Sequence, residues 1–145
     1  MSSLERKFEK ITLLLENLRN EASGDSLLIV EGRRDAKTLR KIGVKGEIFT
    51  IKSCGENIVS FIDKIGENRK KEVILLMDFD RRGKEMTERL VKNLEKMKIK
   101  VNLTFWKELL SLVGNDLKDI EGLGSYIETL EKKVRGKIIF PYWML

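Results

Sequence analysis

Residues 73–84 read VILLMDFDRRGK, and this stretch decides the fold of the chain. It begins with five apolar residues, Val73 to Met77, and continues directly into Asp78, Phe79 and Asp80. A short apolar run followed by turn-forming residues predicts a strand that is buried on both faces of a parallel sheet. Because side chains alternate along an extended segment, we expect the two aspartates to project together, with their Cα atoms about 6–7 Å apart.

Two carboxylates this close repel each other unless a proton or a cation lies between them. Oxygen ligands of this kind suit Mg²⁺, which keeps several waters and completes its shell with phosphate oxygens. Three cations, Arg81, Arg82 and Lys84, follow the pair and are available to hold that phosphate. The stretch therefore predicts a metal-dependent phosphodiester site.

The composition limits the kind of protein that this chain can be. Its 145 residues suffice for one domain with a real core, and 41% hydrophobic with 36% charged residues is typical of a globular chain. The net charge of +6 is compatible with a polyanionic partner. The absence of histidine excludes a Ser-His-Asp triad and His-ligated zinc. A single cysteine, Cys54, favours a cytoplasmic location, and no apolar stretch approaches the length of a membrane span.

Strand and helix patterns alternate through the middle of the chain. Strands are predicted at residues 26–30, 47–51, 73–77 and 101–105, and a helix is predicted after each of the first three. The helix after Gly83 is predicted to bury Met86, Leu90, Leu94 and Met97. Residues 1–24 are predicted to form an N-terminal helix, and residues 106–145 a helical extension. We therefore predict a single α/β domain over residues 1–145, with a parallel four-stranded sheet flanked by helices.

A second group of polar residues follows the strand predicted at residues 26–30. It reads Glu31-Gly32-Arg33-Arg34-Asp35, so Glu31 falls at the carboxyl end of a strand, where open α/β sheets place their active groups. Gly32 would let a backbone or a phosphate approach closely. Asp35 has two interpretations, because it either complements the dipole of the following helix or takes part directly in the site.

The order of these motifs resembles the Toprim domain, which topoisomerases, primases, recombination mediators and certain nucleases share. The resemblance covers about residues 26–105 and is carried by LLIVEGRRD and VILLMDFDRRG. The E-G-R-x-D form of the first motif is similar to that of the Toprim ribonucleases that mature 5S ribosomal RNA. The whole chain looks most like the small stand-alone archaeal Toprim proteins, whose D-I-E-x-L segment matches Asp119–Leu123. The resemblance implies a Rossmann-like Toprim fold for the core at residues 26–105.

The resemblance also implies a role for each matching residue. Glu31 matches the family's glutamate, a general acid/base or metal contact, and Asp78 and Asp80 match the pair that binds Mg²⁺, for which Mn²⁺ can substitute. Gly32 and Gly83 match structural glycines. Crowding by the two aspartates should raise the pKa of Glu31 when no metal is present. The cations near the motifs would grip a nucleic-acid backbone rather than read bases, and they are Arg33, Arg34, Arg81, Arg82 and Lys84.

Two functions are open at this point. The first is a small Mg²⁺-dependent nuclease that acts on RNA or DNA, of an RNA-processing or DNA-repair type. The second is a non-catalytic nucleic-acid-binding module of a ribosomal, replication or repair assembly. Phosphatases of the haloacid-dehalogenase type also place Asp-x-Asp after a strand, but they normally carry Thr or Val where Arg82 stands here. No P-loop and no separate domain with a nucleophilic tyrosine occur in these residues, which disfavours an ATPase-linked nuclease and a topoisomerase.

The chain ends in the apolar segment at residues 138–145, IIFPYWML. Exposed, such a segment would be an aggregation patch, so it is expected to pack on the body of the protein or on a second copy of the chain. A homodimer through this segment is therefore a prediction.

Overall fold

The computed structural model describes residues 2–54, 57–68 and 72–136, which form six α-helices around one four-stranded sheet. The strands are Ser26–Val30 (β1), Ile48–Thr50 (β2), Glu72–Leu76 (β3) and Lys100–Asn102 (β4). The helices are Ser3–Ala22 (α1), Arg33–Lys41 (α2), Ile58–Glu67 (α3), Arg81–Lys96 (α4), Thr104–Val113 (α5) and Leu123–Arg135 (α6). A short 3₁₀ turn, Ile51–Cys54, follows β2.

The sheet is parallel throughout, in the order β2-β1-β3-β4. The two central strands are β1 and β3, and their register pairs Val30 with Leu76 at the last residue of each strand. Residues 31 and 77 therefore leave the sheet side by side. This pairing brings together two segments that are far apart in the sequence, and it places the two acidic motifs at one edge.

Helices cover both faces of the sheet, so the predicted three-layered α/β architecture is confirmed. Alternate residues of β1 explain the layers, because Leu28 and Val30 face one core while Leu27 and Ile29 face the other. The first core is completed by α1, α2, α5 and α6, and the second by α3 and α4. The central strands are thus apolar on both faces, as the unbroken run at residues 73–77 predicts.

Three predicted element boundaries are wrong, and local hydrogen bonds explain two of them. The predicted strand at residues 101–105 ends at Asn102, whose side-chain oxygen accepts a hydrogen bond from the Thr104 N–H at 2.8 Å, and Phe105 lies in α5. The helix predicted after Gly83 already begins at Arg81, because Asp80 caps it. The strand predicted at residues 47–51 is shorter, and Ile51 opens the 3₁₀ turn.

The buried face of α4 also differs from the prediction. Met97 is exposed and Met86 is only half-buried. The positions that face the core are Gly83, Thr87, Leu90 and Leu94. This stripe has the helical spacing of the predicted one but includes the smaller residues Gly83 and Thr87, and Gly83 lets the start of α4 lie close to Asp78 in the loop after β3. The apolar segment at residues 138–145 and the dimer predicted through it lie outside the described residues, and no comparison supports a dimer.

A buried hydrogen bond from α5 anchors the end of β3. The indole N–H of Trp106 donates to the Met77 carbonyl oxygen at 2.9 Å. We expect Trp106→Phe to lower the free energy of unfolding by about 2 kcal/mol, because it leaves this carbonyl without a donor and a small void beside it. Urea denaturation measures the change. Tyr126→Phe is the matched control, because it removes one hydrogen bond to the exposed Asp116 carboxylate; an equal loss in both variants would contradict the prediction.

Candidate active site at the carboxyl ends of the central strands

Glu31 and Asp78 contact each other where β1 and β3 end. Oε2 of Glu31 accepts a hydrogen bond from the backbone N–H of Asp78 at 2.9 Å. Glu31 is buried, with 9% of its surface exposed, and Asp78 is half-buried. The contact is possible because the register of the two strands aligns their last residues. The predicted proximity of the two acidic motifs is therefore present, and it is built on Glu31 and Asp78.

The carboxyl of Asp78 lies in an environment that disfavours its charge. Burial, followed by the hydrogen-bonding and charge of Glu31 and the charge of Asp35, raises the pKa of Asp78 to about 8. One hydrogen bond acts in the opposite direction, since the Ile120 N–H donates to Oδ1 of Asp78 at 3.2 Å. The sequence analysis predicted that crowding by acidic groups raises the pKa of Glu31. In the structure, crowding by Glu31 and Asp35 contributes to the raised pKa of Asp78. When no cation is bound, protonation of Asp78 relieves its repulsion with Glu31 and Asp35.

Asp35 caps its helix and also belongs to the electrostatic environment of the site. Its Oδ2 accepts a hydrogen bond from the Gly32 N–H at 3.1 Å at the start of α2. The side chain is buried, and burial raises the pKa of Asp35, with further contributions from the charges of Glu31 and Asp119. One side chain therefore caps α2 and also contributes to the negative charge around Asp78.

Asp80 lies in a different environment from Asp78. Because β3 ends at Leu76, both aspartates follow the strand on a loop, and the buried Phe79 stands between them. Oδ1 of Asp80 accepts a hydrogen bond from the Gly83 N–H at 2.7 Å and caps α4. The side chain of Asp80 is exposed. The two carboxyls of the predicted pair thus have different surroundings: Asp78 is crowded by acidic neighbours, whereas Asp80 caps a helix N-terminus.

The two glycines of the motifs differ in what the packing requires of them. A Cβ on Gly83 would overlap the carbonyl oxygen of Asp78 and lie 3.0 Å from its Cα, so α4 can approach this loop only without a side chain there. A Cβ on Gly32 would make ordinary contacts, at 3.5 Å from Cδ of Lys52 and 3.8 Å from Oδ2 of Asp35. The lack of space for a Cβ explains why residue 83 is a glycine. The close approach of a phosphate at Gly32 stays a prediction.

The segment between α5 and α6 closes over the loop that carries the aspartates. The Phe79 N–H donates to the Lys118 carbonyl oxygen at 2.8 Å, and the Ile120 N–H holds Asp78 as described above. The Thr38 hydroxyl of α2 donates to the Glu121 carbonyl oxygen at 2.9 Å. The D-I-E-x-L segment at Asp119–Leu123 therefore lies against the site. The resemblance to small archaeal Toprim proteins included this segment, but it did not indicate what the segment contacts.

The donor set fits Mg²⁺ in kind. Carboxylate oxygens are the ligands that Mg²⁺ prefers, and one or two of them suffice when phosphate and water complete the shell. Besides burial, the acidic neighbours Glu31 and Asp35 raise the pKa of Asp78, so a cation bound beside Asp78 would favour its charged form. Within residues 2–54, 57–68 and 72–136, however, no three Asp, Glu or Cys side chains form a cluster that could hold a metal ion by themselves. A metal here would depend on ligands beyond the protein.

The structure places the five predicted cations in three settings. Arg81 pairs with Glu85 at 3.1 Å on α4, and Arg34 lies 3.7 Å from Glu121; both arginines are largely exposed. Arg33 and Lys84 are exposed in the first turns of α2 and α4. Arg82 lines a cleft next to Glu31. The packing thus brings one of the five to a concave surface beside the acidic residues.

That cleft contains cations that the sequence analysis missed. It has a volume of about 480 Å³ and is lined by Glu31, Ile51, Lys52, Ile58, Arg82, Met86 and Arg89. A signal for Lys52 was available, because it follows the second strand as Glu31 follows the first. Arg82, Met86 and Arg89 have the i, i+4, i+7 spacing of one helix face, but Met86 had been assigned to the core.

None of the helices in the described part of the chain is long and apolar enough to cross a membrane.

Comparison with known proteins adds four findings. The sequence model of the Toprim domain matches residues 25–105. A UPF0292 protein of Methanocaldococcus jannaschii is 37% identical over 120 residues, which cover 83% of this chain and 91% of that protein. A UPF0292 protein of Thermococcus kodakarensis is 34% identical over 124 residues, covering 85% and 88%. A solved structure of a protein from Aquifex aeolicus shares the fold, with a TM-score of 0.63 at 24% identity over 76% of this chain and 94% of that one.

Proposed function

The chain belongs to the Toprim domain family, and from this premise we propose that it is a small Mg²⁺-dependent nuclease acting on RNA or DNA. The Toprim domain supports metal-dependent work on nucleic acid as the general class. The observation that carries the finer proposal is the contact of Glu31 with Asp78 beside a cleft lined by three cations. Carboxylates and cations side by side suit a metal ion and the phosphate that it binds.

The residues that would hold the metal are Asp78, Asp80 and Glu31. Asp80 uses Oδ1 for the helix cap, so its other oxygen is available to a ligand or to a bound water. The metal, when bound, would supply neutralisation of phosphate charge and orientation of a water or a leaving oxygen. The carboxyl of Asp78 would then lose its proton, because a cation compensates the charges of Glu31 and Asp35.

Glu31 is suited to moving a proton at the reacting phosphate. Its Oε2 is held by the Asp78 N–H, which fixes the side chain and leaves Oε1 as the oxygen that can accept a proton from water. The cations of the cleft would bind the phosphate backbone on the far side of Glu31. Arg33, Arg34 and Lys84 would extend this contact along the exposed first turns of α2 and α4.

We expect Glu31→Gln to lower the rate of Mg²⁺-dependent cleavage by about 10²-fold, which is within the range of a lost general acid or base. Glutamine still offers an oxygen to the Asp78 N–H, so the fold should survive. The assay is cleavage of structured RNAs and DNA duplexes with Mg²⁺ or Mn²⁺, and Asp63→Gln, on the exposed surface of α3, is the control. Wild-type cleavage that persists unchanged in Glu31→Gln would remove Glu31 from the mechanism.

A non-catalytic nucleic-acid-binding module is the second candidate. It is favoured by the absence, among the described residues, of a three-carboxylate metal cluster, whereas the cations of the cleft can bind phosphate without a metal. Binding across the same substrate panel without cleavage would support this function. In that case the acidic residues at the strand ends would organise a contact within a ribosomal, replication or repair assembly.

A further inference from the structure

The cleft beside Glu31 combines positive charge with apolar walls. Its cations come from two separate elements: Lys52 follows β2, while Arg82 and Arg89 lie on α4. None of the three forms an ion pair with another residue in the described part of the chain, in contrast to Arg81 and its partner Glu85. Glu31 is the one carboxylate among the described residues of the lining, so these residues carry an excess of two positive charges. Such a surface attracts an anion.

The apolar part of the lining indicates what accompanies the anion. Ile51 is 8% exposed, and Ile58 and Met86 are half-buried at the cleft surface. Phosphates on the outside of a duplex need cations but no apolar wall, because the bases are stacked inside. An unpaired nucleotide presents the face of its base together with a phosphate, and proteins receive it in a recess of mixed character. A cavity of about 480 Å³ is in the size range of small-ligand sites.

We propose that this cleft binds one unpaired nucleotide of the substrate strand, beside the acidic site at Glu31 and Asp78. The base lies against Met86 and Ile58, and Lys52, Arg82 and Arg89 contact its phosphates. This inference rests on the proposed function and narrows its substrate to single-stranded or junction nucleic acid, RNA or DNA. A continuous duplex would leave the apolar walls without a partner.

Equilibrium binding in EDTA tests the proposal without any turnover. The protein of 145 residues is titrated into a labelled single-stranded oligonucleotide and into the duplex of the same sequence, each as RNA and as DNA. We expect the single strand to bind at least about tenfold more tightly, and Arg89→Ala to weaken its binding by about tenfold. Met86→Ala should weaken the single strand by about fivefold and leave the duplex unchanged. Lys96→Ala removes the same charge at the far end of α4 and is the control.

Methionine methyl signals provide a local readout in the same protein. With ¹³C-methyl-methionine, the signal of Met86 should shift on addition of the single strand. The signal of Met97, which is exposed about 16 Å away along the same helix, should not. Equal affinity for strand and duplex, or an unmoved Met86 signal at saturation, would overturn the proposal. Cleavage of a continuous duplex would overturn it as well while leaving the nuclease function intact, whereas strand preference without cleavage would retain the subsite and remove the nuclease.

Discussion

Asp78→Asn is expected to lower the rate of Mg²⁺-dependent cleavage by at least about 10³-fold while making the metal-free protein more stable at alkaline pH. The activity is lost because asparagine removes the charge that holds the metal, and a metal supplies several kcal/mol of charge stabilisation in the transition state. The stability rises because asparagine cannot ionise in the surroundings that Glu31 and Asp35 create. A residue that only supported the fold would not produce these opposite effects.

The direction of the pH dependence follows from the pKa of Asp78, which is raised from 3.8 to about 8 in the folded protein. Below about pH 4 both the folded and the unfolded chain carry the proton, so ionisation makes no difference to stability. As the pH rises toward 8, the unfolded chain releases the proton first, and the free energy of unfolding of the wild type falls. Above about pH 8 the full loss is present. The pKa of Asp35 is also raised, so its ionisation lowers the free energy of unfolding with rising pH in both the wild type and Asp78→Asn.

Urea denaturation at about pH 5 and about pH 9, in EDTA, measures this difference. We expect Asp78→Asn to exceed the wild type by about 2 kcal/mol at the higher pH and by less at the lower. A full conversion of the pKa change, at about 1.4 kcal/mol for each unit, would give a larger difference. The expected value is smaller because half of the side chain stays in solvent, which screens the charges. Mg²⁺ should stabilise the wild type more than the variant. Asp63→Asn on the surface of α3 is the control, and an unchanged difference between the two pH values would contradict the assignment.

Gly83→Ala is expected to reduce the free energy of unfolding by about 3 kcal/mol, the upper end of the usual cost of overpacking. The added Cβ would overlap the Asp78 carbonyl oxygen, so either α4 or the aspartate loop must move. The gain in helix propensity from alanine, about 1 kcal/mol, is too small to offset the overlap. Movement of the loop also displaces Asp78, so cleavage should fall by at least about tenfold even under conditions in which the variant stays folded.

Gly124→Ala is the matched control for this substitution. Gly124 also lies in the first turn of a helix, α6, but a Cβ there would meet the Thr38 methyl group at an ordinary distance of 3.9 Å. Its stability should therefore be unchanged or higher by up to about 1 kcal/mol. Thermal and urea denaturation of both variants, with cleavage assayed well below the unfolding midpoint, separates the two cases. If the two alanines had equal effects, close packing at Gly83 could not be the reason for glycine there.

Much of the fold could be predicted from local patterns. The apolar runs at residues 26–30 and 73–77 are long enough to indicate strands buried on both faces, and the structure confirms both within one residue. The weaker runs at residues 47–51 and 101–105 gave poorer boundaries. Phe105 looked like the end of a strand because its apolar side chain fits either element, and the Asn102–Thr104 hydrogen bond decided for a helix.

The site could be predicted only in part. Glu31 and Asp78 were found because each follows a buried strand, and parallel strands end at the same edge. The geometry predicted for Asp78 and Asp80 assumed that the strand continues through both, but the strand ends at Leu76, so both residues lie on the following loop. Two of the three cations of the cleft were missed: Lys52, because only packing brings it beside α4, and Arg89, because its neighbour Met86 on that helix face was assigned to the core.

The sequence by itself determined the parallel α/β sheet, the membership of the Toprim family and the placement of acidic motifs at two strand ends, since each depends on residues close together in the chain. The tertiary structure alone decided which groups surround each carboxyl. Asp78 is crowded by Glu31 and Asp35 and held by the Ile120 N–H, whereas Asp80 caps α4. Burial, charge and hydrogen bonding set the pKa and the availability of a carboxyl, and all three depend on distances that packing creates between remote segments.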